Sequence, residues 1–364
     1  MNKYKVCVYA ICKNEEKFVD RWVKSMNEAD LIVVADTGST DNTVEKLKSL
    51  GVKVSTINVN PWRFDKARNE SIKLIPEDVD ICVCTDLDEI FDPGWRNKLE
   101  ESWDEKTTRL RYKYNWNFDE YGNPATSFYL NKIHNRHDYI WSHPVHEVLT
   151  YVGKKGEVEK VCEGILLNHH ADNTKSRESY LPLLEMSVEE DPNDDRNMHY
   201  LGREYMFYRE WNKSIDTLIK HLKMPSSTWK DERCASMRFI ARSYIGLDRV
   251  EEAKMWYQKA IKEAPYLREG YVEKAHLEYS LNNYNEAYKL LKEALKIPNK
   301  SNSYINEEFC WNHGIYDLLS VNAFALGHIE EAIENCKKAH DLAPNDERIK
   351  NNLDLMINYK KNEE

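Results

Sequence analysis

Short apolar runs alternate with amphipathic segments over the first 85 residues, and this order restricts the fold more than any other feature of the chain. Four runs rich in apolar and β-branched residues are predicted to be strands, at residues 5–11, 31–35, 52–59 and 81–85. Segments with apolar residues at helical spacing lie between them, at residues 15–26, 41–50 and 65–74. This β-α-β-α-β-α-β order predicts a Rossmann-like, mostly parallel sheet wrapped by helices.

The fourth predicted strand ends abruptly in an acidic run, Asp86-Leu87-Asp88-Glu89. In α/β proteins, ligands bind outside the carboxyl ends of parallel strands. Two carboxylates one residue apart can hold a hard divalent cation and leave room for phosphate oxygens. The run therefore raises two alternatives, a metal–diphosphate site built on Asp86 and Asp88, or an acidic loop without a ligand. Glu89 is expected only to begin the next turn.

Polar residues also follow the other predicted strands. Asn14 and Glu15 come after the first strand, Asp36 comes after the second, and Arg68 lies in the helix after the third. Taken singly, each has a structural explanation, such as helix capping or an interaction with the helix dipole. Their shared placement at one edge of the sheet favours a single binding site that includes Asp86.

The composition limits the class of protein and its partners. The chain has 364 residues and a formal net charge of −10, which disfavours nucleic acid as a partner because binding its phosphates needs a cationic face. No window approaches the roughly 18 consecutive apolar residues of a transmembrane helix, and the amino-terminal segment does not resemble a secretory signal. We therefore expect a cytoplasmic protein without a transmembrane segment. Cys7, Cys12, Cys82 and Cys84, which lie in or beside apolar strands, are expected to be buried, reduced thiols.

The second half of the chain is predicted to be helical and repetitive. Small and large residues recur in the same phase in three places, Ala253-Tyr257-Ala260, Ala287-Leu291-Ala294 and Ala332-Cys336-Ala339. This phase resembles the consensus of tetratricopeptide repeats, which predicts an all-α solenoid. We therefore predict two domains, residues 1–178 and 179–364. The solenoid could be structural and mediate a homodimer, or it could present a concave surface to a peptide, and the sequence leaves both open.

Four segments of the first domain together resemble family 2 glycosyltransferases of the GT-A fold. They are ICKNEE at residues 11–16, VVADTGSTDNT at 33–43, ARN at 67–69 and DLDE at 86–89, in the order of that family. The resemblance covers roughly residues 4–172. Together with the helical repeats, it is similar to a bacterial subgroup that includes peptide glycosyltransferases.

The resemblance implies inverting transfer of a sugar from a nucleotide sugar, usually a UDP-hexose or UDP-N-acetylhexosamine, with Mn²⁺ or Mg²⁺. It assigns Asn14, Glu15, Asp36, Arg68 and Asp86 to the nucleotide. Asp88 is assigned to the metal, and Asp86 is shared between the metal and the ribose. Many members carry a second Asp where this chain has Thr37, which leaves the uracil contact and the base specificity open.

The later part of the first domain supplies candidates for the remaining roles. Glu147 resembles the subgroup's general base, with His146 orienting it or touching the donor, although a strand of satisfied polar residues explains both equally well. A zinc pair of His143 and His146 is disfavoured, because Pro144 breaks the helix that such a pair needs. His169 resembles the family's late histidine and a third metal ligand, and the adjacent His170 is an alternative. Lys175 and Arg177 could close over the diphosphate.

Three functions follow as hypotheses. The first is glycosylation of a protein or peptide acceptor that contacts the repeats. The second is addition of a sugar to a cell-surface polysaccharide or a lipid-linked precursor. The third belongs to another class, a noncatalytic tetratricopeptide adaptor, and the intact Asp36, Asp86 and Asp88 argue against it.

Overall fold

The computed structural model describes residues 3–119, 122–172, 178–301 and 303–363. The chain divides into two compact units, residues 1–187 (unit 1) and 188–364 (unit 2). The domain boundary predicted after residue 178 falls shortly before this division and stays a prediction. Among the described residues, no helix combines the length and the apolar character needed to cross a membrane.

Unit 1 alternates strands and helices in its first half and consists mainly of strands in its second half. Its strands are β1 (Val6–Cys12), β2 (Leu31–Asp36), β3 (Lys53–Thr56), β4 (Ile81–Cys84), β5 (Glu89–Phe91), β6 (Arg109–Phe118), β7 (Pro124–Asn135), β8 (Tyr139–Ser142), β9 (Val148–Tyr151) and β10 (Glu159–His169). Its helices are α1 (Val19–Met26), α2 (Thr43–Ser49), α3 (Phe64–Lys73), α4 (Trp95–Ser102) and α5 (Tyr180–Glu190), the last of which continues into unit 2. The predicted β-α-β-α-β-α-β order of the first 85 residues is therefore confirmed.

Eight strands form one sheet in the order β3-β2-β1-β4-β7-β6-β10-β5, and β8 and β9 form a separate antiparallel pair. Strands β1 to β4 run parallel to one another, whereas β7 is antiparallel to both β4 and β6. Cys12 at the end of β1 is in register with Asp36 at the end of β2. Tyr9 of β1 pairs with Cys84 at the end of β4, so the segments that follow these strands emerge at one sheet edge.

Both faces of this sheet are covered, which explains why its central strands are continuous apolar runs. Alternate residues of β1 point to opposite faces: Val6 and Val8 belong to one hydrophobic cluster, and Cys7 and Tyr9 belong to another. Cys7, Cys12, Cys82 and Cys84 are buried and free, as predicted, and so is every other cysteine among the described residues. Burial raises the pKa of the Cys7 thiol to about 12, which keeps that thiol in its unreactive protonated form at neutral pH.

Two local features differ from the sequence-based expectation. Helix α1 begins at Val19 instead of residue 15, because residues 15–18 form a separate turn that the Phe18 N–H closes on the Glu15 carbonyl over 2.9 Å. Side chains of Asp41 and Thr43 hold this turn by accepting hydrogen bonds from the N–H groups of Glu16 and Glu15. Glu89 does not merely begin a turn. It is the first residue of strand β5, and only 1% of its surface is exposed.

Unit 2 is helical throughout its described residues, apart from connecting segments and a single 3₁₀ turn at Glu308–Cys310. Its helices are α6 (Asp195–Phe207), α7 (Trp211–Lys223), α8 (Lys230–Gly246), α9 (Val250–Glu263), α10 (Glu269–Ser280), α11 (Tyr284–Leu295), α12 (His313–Ala325), α13 (Ile329–Leu342) and α14 (Glu347–Glu363). Consecutive helices pack as pairs, α6 with α7, α8 with α9, α10 with α11 and α12 with α13. This is the arrangement that the repeated phase predicts.

Small residues let the paired helices approach closely. Ala253, Ala260 and Ala294 have no exposed surface. Gly202 of α6 shows how little space is left, because a Cβ atom built there would lie 2.5 Å from a side-chain carbon of Leu218 in α7. The close approach of the paired helices therefore requires small residues at these positions. Unit 2 is the predicted all-α solenoid.

Candidate functional site

The segments that follow β1 and β2 are fastened to each other by hydrogen bonds. The Asn14 backbone N–H donates to Ser39 Oγ over 2.9 Å, and Asn14 Oδ1 accepts from the Thr40 N–H over 2.7 Å. Asn14 has a φ angle of 55°, a left-handed conformation that Asn adopts more readily than most residues. Glu15, predicted to contact the nucleotide, is buried in the same region, and its N–H donates to Thr43 Oγ1 over 2.7 Å.

Asp36 shapes the segment that follows β2. Its carboxylate is buried and accepts hydrogen bonds from the backbone N–H groups of Gly38 and Ser39, each at 3.1 Å. Gly38 has a φ of 101°, which a residue with a side chain rarely adopts. The structure therefore gives Asp36 one role, fixing this turn, and its predicted contact with the nucleoside stays a prediction.

Arg68 in α3 links two of the predicted site residues. Only 4% of it is exposed. Its Nη2 donates to both carboxylate oxygens of Asp86, at 2.9 and 3.2 Å, and its Nε donates to the carboxylate of Glu147. Arg68, Asp86 and Glu147, which lie far apart in the sequence, therefore form one ionic cluster around the buried guanidinium.

The aromatic ring of Trp141 covers this cluster. The guanidinium carbon of Arg68 lies 5.0 Å from the centre of that ring, a cation–π geometry. The neighbouring Asn69 side chain makes two hydrogen bonds of 2.8 Å with the Trp141 backbone, one to its carbonyl and one from its N–H. The Ala67-Arg68-Asn69 motif thus has two functions, placing the guanidinium and attaching α3 to β8.

Two further residues of the cluster were not assigned to the site by the sequence analysis. Lys132 of β7 places its Nζ 3.5 Å from Asp86 and 3.8 Å from Glu89. Glu89 accepts hydrogen bonds of 2.8 Å from the Tyr114 hydroxyl and from the Asp86 backbone N–H. Glu89 therefore holds the backbone of the acidic run in place through the Asp86 N–H. Lys132 adds a second cation beside Asp86.

The electrostatics of the cluster favour the charged forms of Asp86 and Lys132. Burial acts to raise the pKa of Asp86, but the positive charges of Arg68 and Lys132 outweigh it and hold that pKa well below its usual range. Burial acts to lower the pKa of Lys132, and the carboxylates of Glu89 and Asp86 raise it instead. For Glu89 burial prevails and raises the pKa.

Asp88 and His169 form a second pair at the same end of the sheet. The Nε2 atom of His169 lies 3.5 Å from Asp88 Oδ2. The other ring nitrogen, Nδ1, is 2.8 Å from the Trp116 carbonyl, which can only accept, so Nδ1 carries the hydrogen. Stacking on Trp116, with ring centres 4.5 Å apart, also fixes the imidazole plane. Burial acts to lower the pKa of His169, but the carboxylate of Asp88 outweighs it and raises that pKa, because it stabilises the protonated ring. In the neutral ring, which is the form that binds a metal, Nε2 offers a lone pair in the direction of Asp88.

This pair has the chemistry of a metal site. An imidazole whose second nitrogen is bound to a carbonyl is the usual form of a histidine ligand, and carboxylate oxygens suit Mg²⁺ and Mn²⁺. Asp86, the third predicted ligand, instead directs both oxygens at Arg68. Asp88 and His169 thus fit a divalent cation, and Asp86, whose side chain is 35% exposed, retains lone pairs beyond those that bind Arg68.

The tightest group of three possible metal ligands among the described residues lies elsewhere, in unit 2, and comprises Asp195, His221 and Glu232. Both ring nitrogens of His221 are already within hydrogen-bond distance of serine hydroxyls, Ser236 at 2.9 Å and Ser227 at 3.0 Å. A buried polar network explains this group without a metal.

The turn between β8 and β9 carries the remaining candidates. His143 and His146 both adopt left-handed φ angles, 75° and 52°, so this turn has no helical register in which they could act as a zinc pair. His146 packs edge-on against Tyr180 with ring centres 5.7 Å apart. The alternative ligand His170 stacks on Phe118 at 5.4 Å, and its backbone N–H donates to the Asp88 carbonyl over 2.8 Å. Lys175 and Arg177 lie outside the described residues.

The sheet edge, its acidic run and the covering turn together form a candidate binding site on an α/β domain, and comparison with known families supports a glycosyltransferase. Residues 7–152 match the family model "Glycosyl transferase family 2", and residues 239–266 and 269–301 match that of the tetratricopeptide repeat. Unit 1 therefore contains a domain that matches the family 2 glycosyltransferases, and unit 2 contains repeats that match the tetratricopeptide repeat. Members of this family often depend on a divalent metal.

Solved structures similar to the chain include tetratricopeptide proteins. A thermophilic tetratricopeptide protein of Thermus thermophilus is 17% identical, with 50% of this chain and 90% of that chain covered and a TM-score of 0.37. Yeast Tom70 is 15% identical, with 52% and 37% covered and a TM-score of 0.40. A comparison with curated proteins gave no match.

Proposed function

We propose that unit 1 transfers a sugar from a nucleotide diphosphate sugar, with a divalent cation, to a protein or peptide acceptor. The observation that carries the proposal is the Asp88–His169 pair, in which the Trp116 carbonyl orients the imidazole so that its Nε2 atom lies 3.5 Å from the carboxylate. It lies next to the Arg68–Asp86 ion pair at the carboxyl edge of a parallel sheet, where phosphates and nucleosides are commonly bound.

In this proposal, Asp88 and His169 hold the cation. A bound Mn²⁺ or Mg²⁺ stabilises the negative charge that develops on a departing diphosphate. Asp86 remains anchored to Arg68 and faces the donor with its exposed part, since 35% of its side chain is accessible. Asn14, Glu15 and Asp36 form the neighbouring wall, where the nucleoside binds.

Glu147 acts as the general base for the acceptor nucleophile. Its carboxylate is 11% exposed and shares Arg68 with Asp86, so one guanidinium orients the groups proposed to act on the acceptor and on the donor. His146 belongs to the same turn and positions Glu147. A positioned base typically contributes about 10²–10⁴-fold to the rate.

A polypeptide acceptor is favoured over a polysaccharide or a lipid-linked precursor because the second unit is made of tetratricopeptide repeats. Stacked helical repeats create extended surfaces that suit binding of another polypeptide chain. The donor is proposed to be a UDP-hexose or UDP-N-acetylhexosamine.

The test is hydrolysis of UDP-sugars by the full chain, with and without Mn²⁺, in the wild type and in Asp88→Asn. A metal contributes several kcal/mol to charge stabilisation, so the variant and the metal-free enzyme should each be slower by about 100-fold or more. Asp78→Asn is the matched control, since Asp78 is 70% exposed and pairs with Lys5 before the amino end of β1.

Two results would contradict the proposal. Hydrolysis that persists unchanged in Asp88→Asn would remove Asp88 from the cation site. Failure to hydrolyse any common nucleotide sugar, together with failure of each to raise the melting temperature in the presence of Mn²⁺, would favour the noncatalytic adaptor.

A further inference from the structure

The segment between α11 and α12 in unit 2 is unusually long for a connection between repeats. It runs from residue 296 to residue 312, and its described residues contain only the single 3₁₀ turn. Instead of extending into solvent, residues 303–307 lie against helices α6, α8 and α10, which belong to the preceding repeats. We call these five residues the return segment, and the surface they cover the α6–α8–α10 face.

The return segment places an aromatic and an aliphatic side chain on this face. Tyr304 lies between Tyr200 and Trp229, with ring centres 6.2 and 5.7 Å away, and its hydroxyl donates to Glu232 over 3.2 Å. Ile305 packs against the hydrophobic cluster that contains Phe239. Both side chains remain partly exposed, unlike those of the helical core.

An acidic side chain of the return segment completes an ionic network. Arg238 and Arg242 of α8 share a single carboxylate from α10, that of Glu273. Glu307 supplies a second carboxylate, 2.7 Å from Arg242 Nη2 and 3.5 Å from Arg238 Nη1. Buried ion pairs rarely stabilise a fold more than apolar residues of similar volume, so this network is better explained by recognition of a carboxylate than by stability.

The face also binds the main chain of the return segment. Arg238 Nη2 donates to the Ile305 carbonyl over 3.2 Å, and Glu269 of α10 accepts from the Glu307 N–H over 3.2 Å. Contacts to a carbonyl and an N–H group are available to any polypeptide, whereas the pockets for Tyr304 and Glu307 select side chains. This combination is typical of a peptide-binding surface.

The return segment does not fill the space beside it. A cavity of about 230 Å³ remains between this segment and the helices, lined by His199, Arg203, Phe207 and Arg242 among others. This cleft is partly open to solvent, and the side chains of residues 304–307 that border it are only partly buried, so the return segment is not sealed within the helical core.

We infer that the α6–α8–α10 face is a docking surface for a short polypeptide segment of another protein, and that the return segment is an internal occupant that such a segment displaces. The partner carries an aromatic residue, then an aliphatic one, and an acidic residue three positions after the aromatic, as in Tyr304-Ile305-Asn306-Glu307. This inference concerns unit 2 and holds whether or not unit 1 acts as proposed.

The experiment uses a fluorescent synthetic peptide that copies residues 301–309, and a full-length variant in which residues 303–307 are replaced by Gly-Ser-Gly-Ser-Gly. Fluorescence anisotropy should show that the variant binds the peptide. A tethered segment has an effective concentration on the order of 1 mM. If the free peptide binds the open face with a Kd of about 100 μM, wild type should therefore bind about tenfold more weakly than the variant.

A second pair of full-length variants keeps the test independent of the replacement. Glu307→Gln removes the carboxylate that faces the two arginines, so it should release the return segment and increase the affinity for the peptide. Glu308→Gln makes the same chemical change one residue later, outside the arginine pair, and should leave the affinity at the wild-type value. A peptide that carries the Glu307→Gln change should bind the replacement variant about tenfold more weakly or worse.

Several results would overturn the inference. One is a replacement variant that retains its helical circular dichroism and does not bind the peptide. Another is equal peptide affinity of wild type and the replacement variant. If the replacement variant does not fold, unchanged peptide affinity in Glu307→Gln would refute the idea equally well.

Discussion

A buried histidine in unit 1 should make the wall of the candidate site sensitive to acid. His134 of β7 has no exposed surface. Trp141 Nε1 donates to the Tyr9 hydroxyl over 3.0 Å, that hydroxyl lies 2.8 Å from His134 Nε2, and His134 Nδ1 lies 2.6 Å from the Asn135 carbonyl. Since the carbonyl can only accept, Nδ1 carries the hydrogen and Nε2 accepts from Tyr9. The chain of hydrogen bonds therefore requires a neutral imidazole.

The size of the effect follows from the pKa. Burial lowers the pKa of His134 from 6.5 to about 3. Between these values the unfolded chain binds a proton that the folded chain does not, so stability is fully present above pH 6.5 and is lost as the pH falls. The linkage relation gives a loss of about 2 kcal/mol in the free energy of unfolding between about pH 8 and pH 5. Only near pH 3 would the loss approach about 5 kcal/mol.

The test compares wild type with His134→Gln, which cannot take up this proton. The stability advantage of wild type over the variant should shrink by about 2 kcal/mol between about pH 8 and pH 5. Pulse proteolysis in urea, read by mass spectrometry on peptides from β4 and β7, reports the unfolding of unit 1. Contributions from other groups, such as the buried His199 of unit 2, cancel in the difference.

His137→Gln is the matched control, because His137 is three positions away and its side chain is 58% exposed. Its stability difference from wild type should change little with pH. The reasoning would be refuted if the wild type and His134→Gln lost stability in parallel, or if the NMR signal of the His134 ring titrated near pH 6.5. Trp141 also covers Arg68, so the same acidification should loosen that side of the candidate site.

Three further outcomes are expected. Glu147→Gln should reduce sugar transfer by about 10²–10⁴-fold and leave donor binding nearly unchanged, as measured by turnover and by thermal shift with the donor; an equal loss of both would make Glu147 a donor-binding residue. Lys132→Met should lower the free energy of unfolding by about 3 kcal/mol in urea, because it leaves Glu89 and Asp86 without a shared cation, whereas the exposed Lys113→Met should change it little. Gly202→Ala should lower the melting temperature, because overpacking against Leu218 costs about 1–3 kcal/mol and exceeds the gain in helix propensity; a higher melting temperature would show that α6 and α7 can separate freely.

The sequence predicts the parallel part of the sheet well, for a physical reason. Strands buried on both faces must be continuously apolar, and the run at β4 is distinguishable because Asp80 and Asp86 bound it. The ends of helices are less predictable. Helix α1 starts late because residues 15–18 form a separate turn, which is held by contacts such as that of the Glu15 N–H with the Thr43 hydroxyl. No local sequence pattern records such a contact between segments.

The candidate site, like the fold, contains residues that the sequence predicts and residues that it does not. Asp86, Asp88 and Arg68 could be found because they follow strands or belong to recognisable motifs, and strand ends meet at one edge. Trp116 could not be found, since it presents to His169 a backbone carbonyl, which every residue has, and a ring that resembles the other aromatic rings of these strands. A contact that a residue makes through its main chain leaves no trace in the sequence.

Lys132 shows why some functional residues need the structure. It lies in β7, which is antiparallel to β4, and in the register of that pair Ile133 lies opposite Val83. Lys132 therefore comes next to the end of β4, although 46 residues separate it from Asp86. In the sequence it is one lysine among many in an amphipathic strand, where an exposed position is the simplest expectation. Because β7 lies next to β4 in the sheet, the Lys132 side chain is mostly buried and its charge faces the acidic run. A second cation of this kind compensates two carboxylates that Arg68 alone could not, because Arg68 already divides its donors between Asp86 and Glu147.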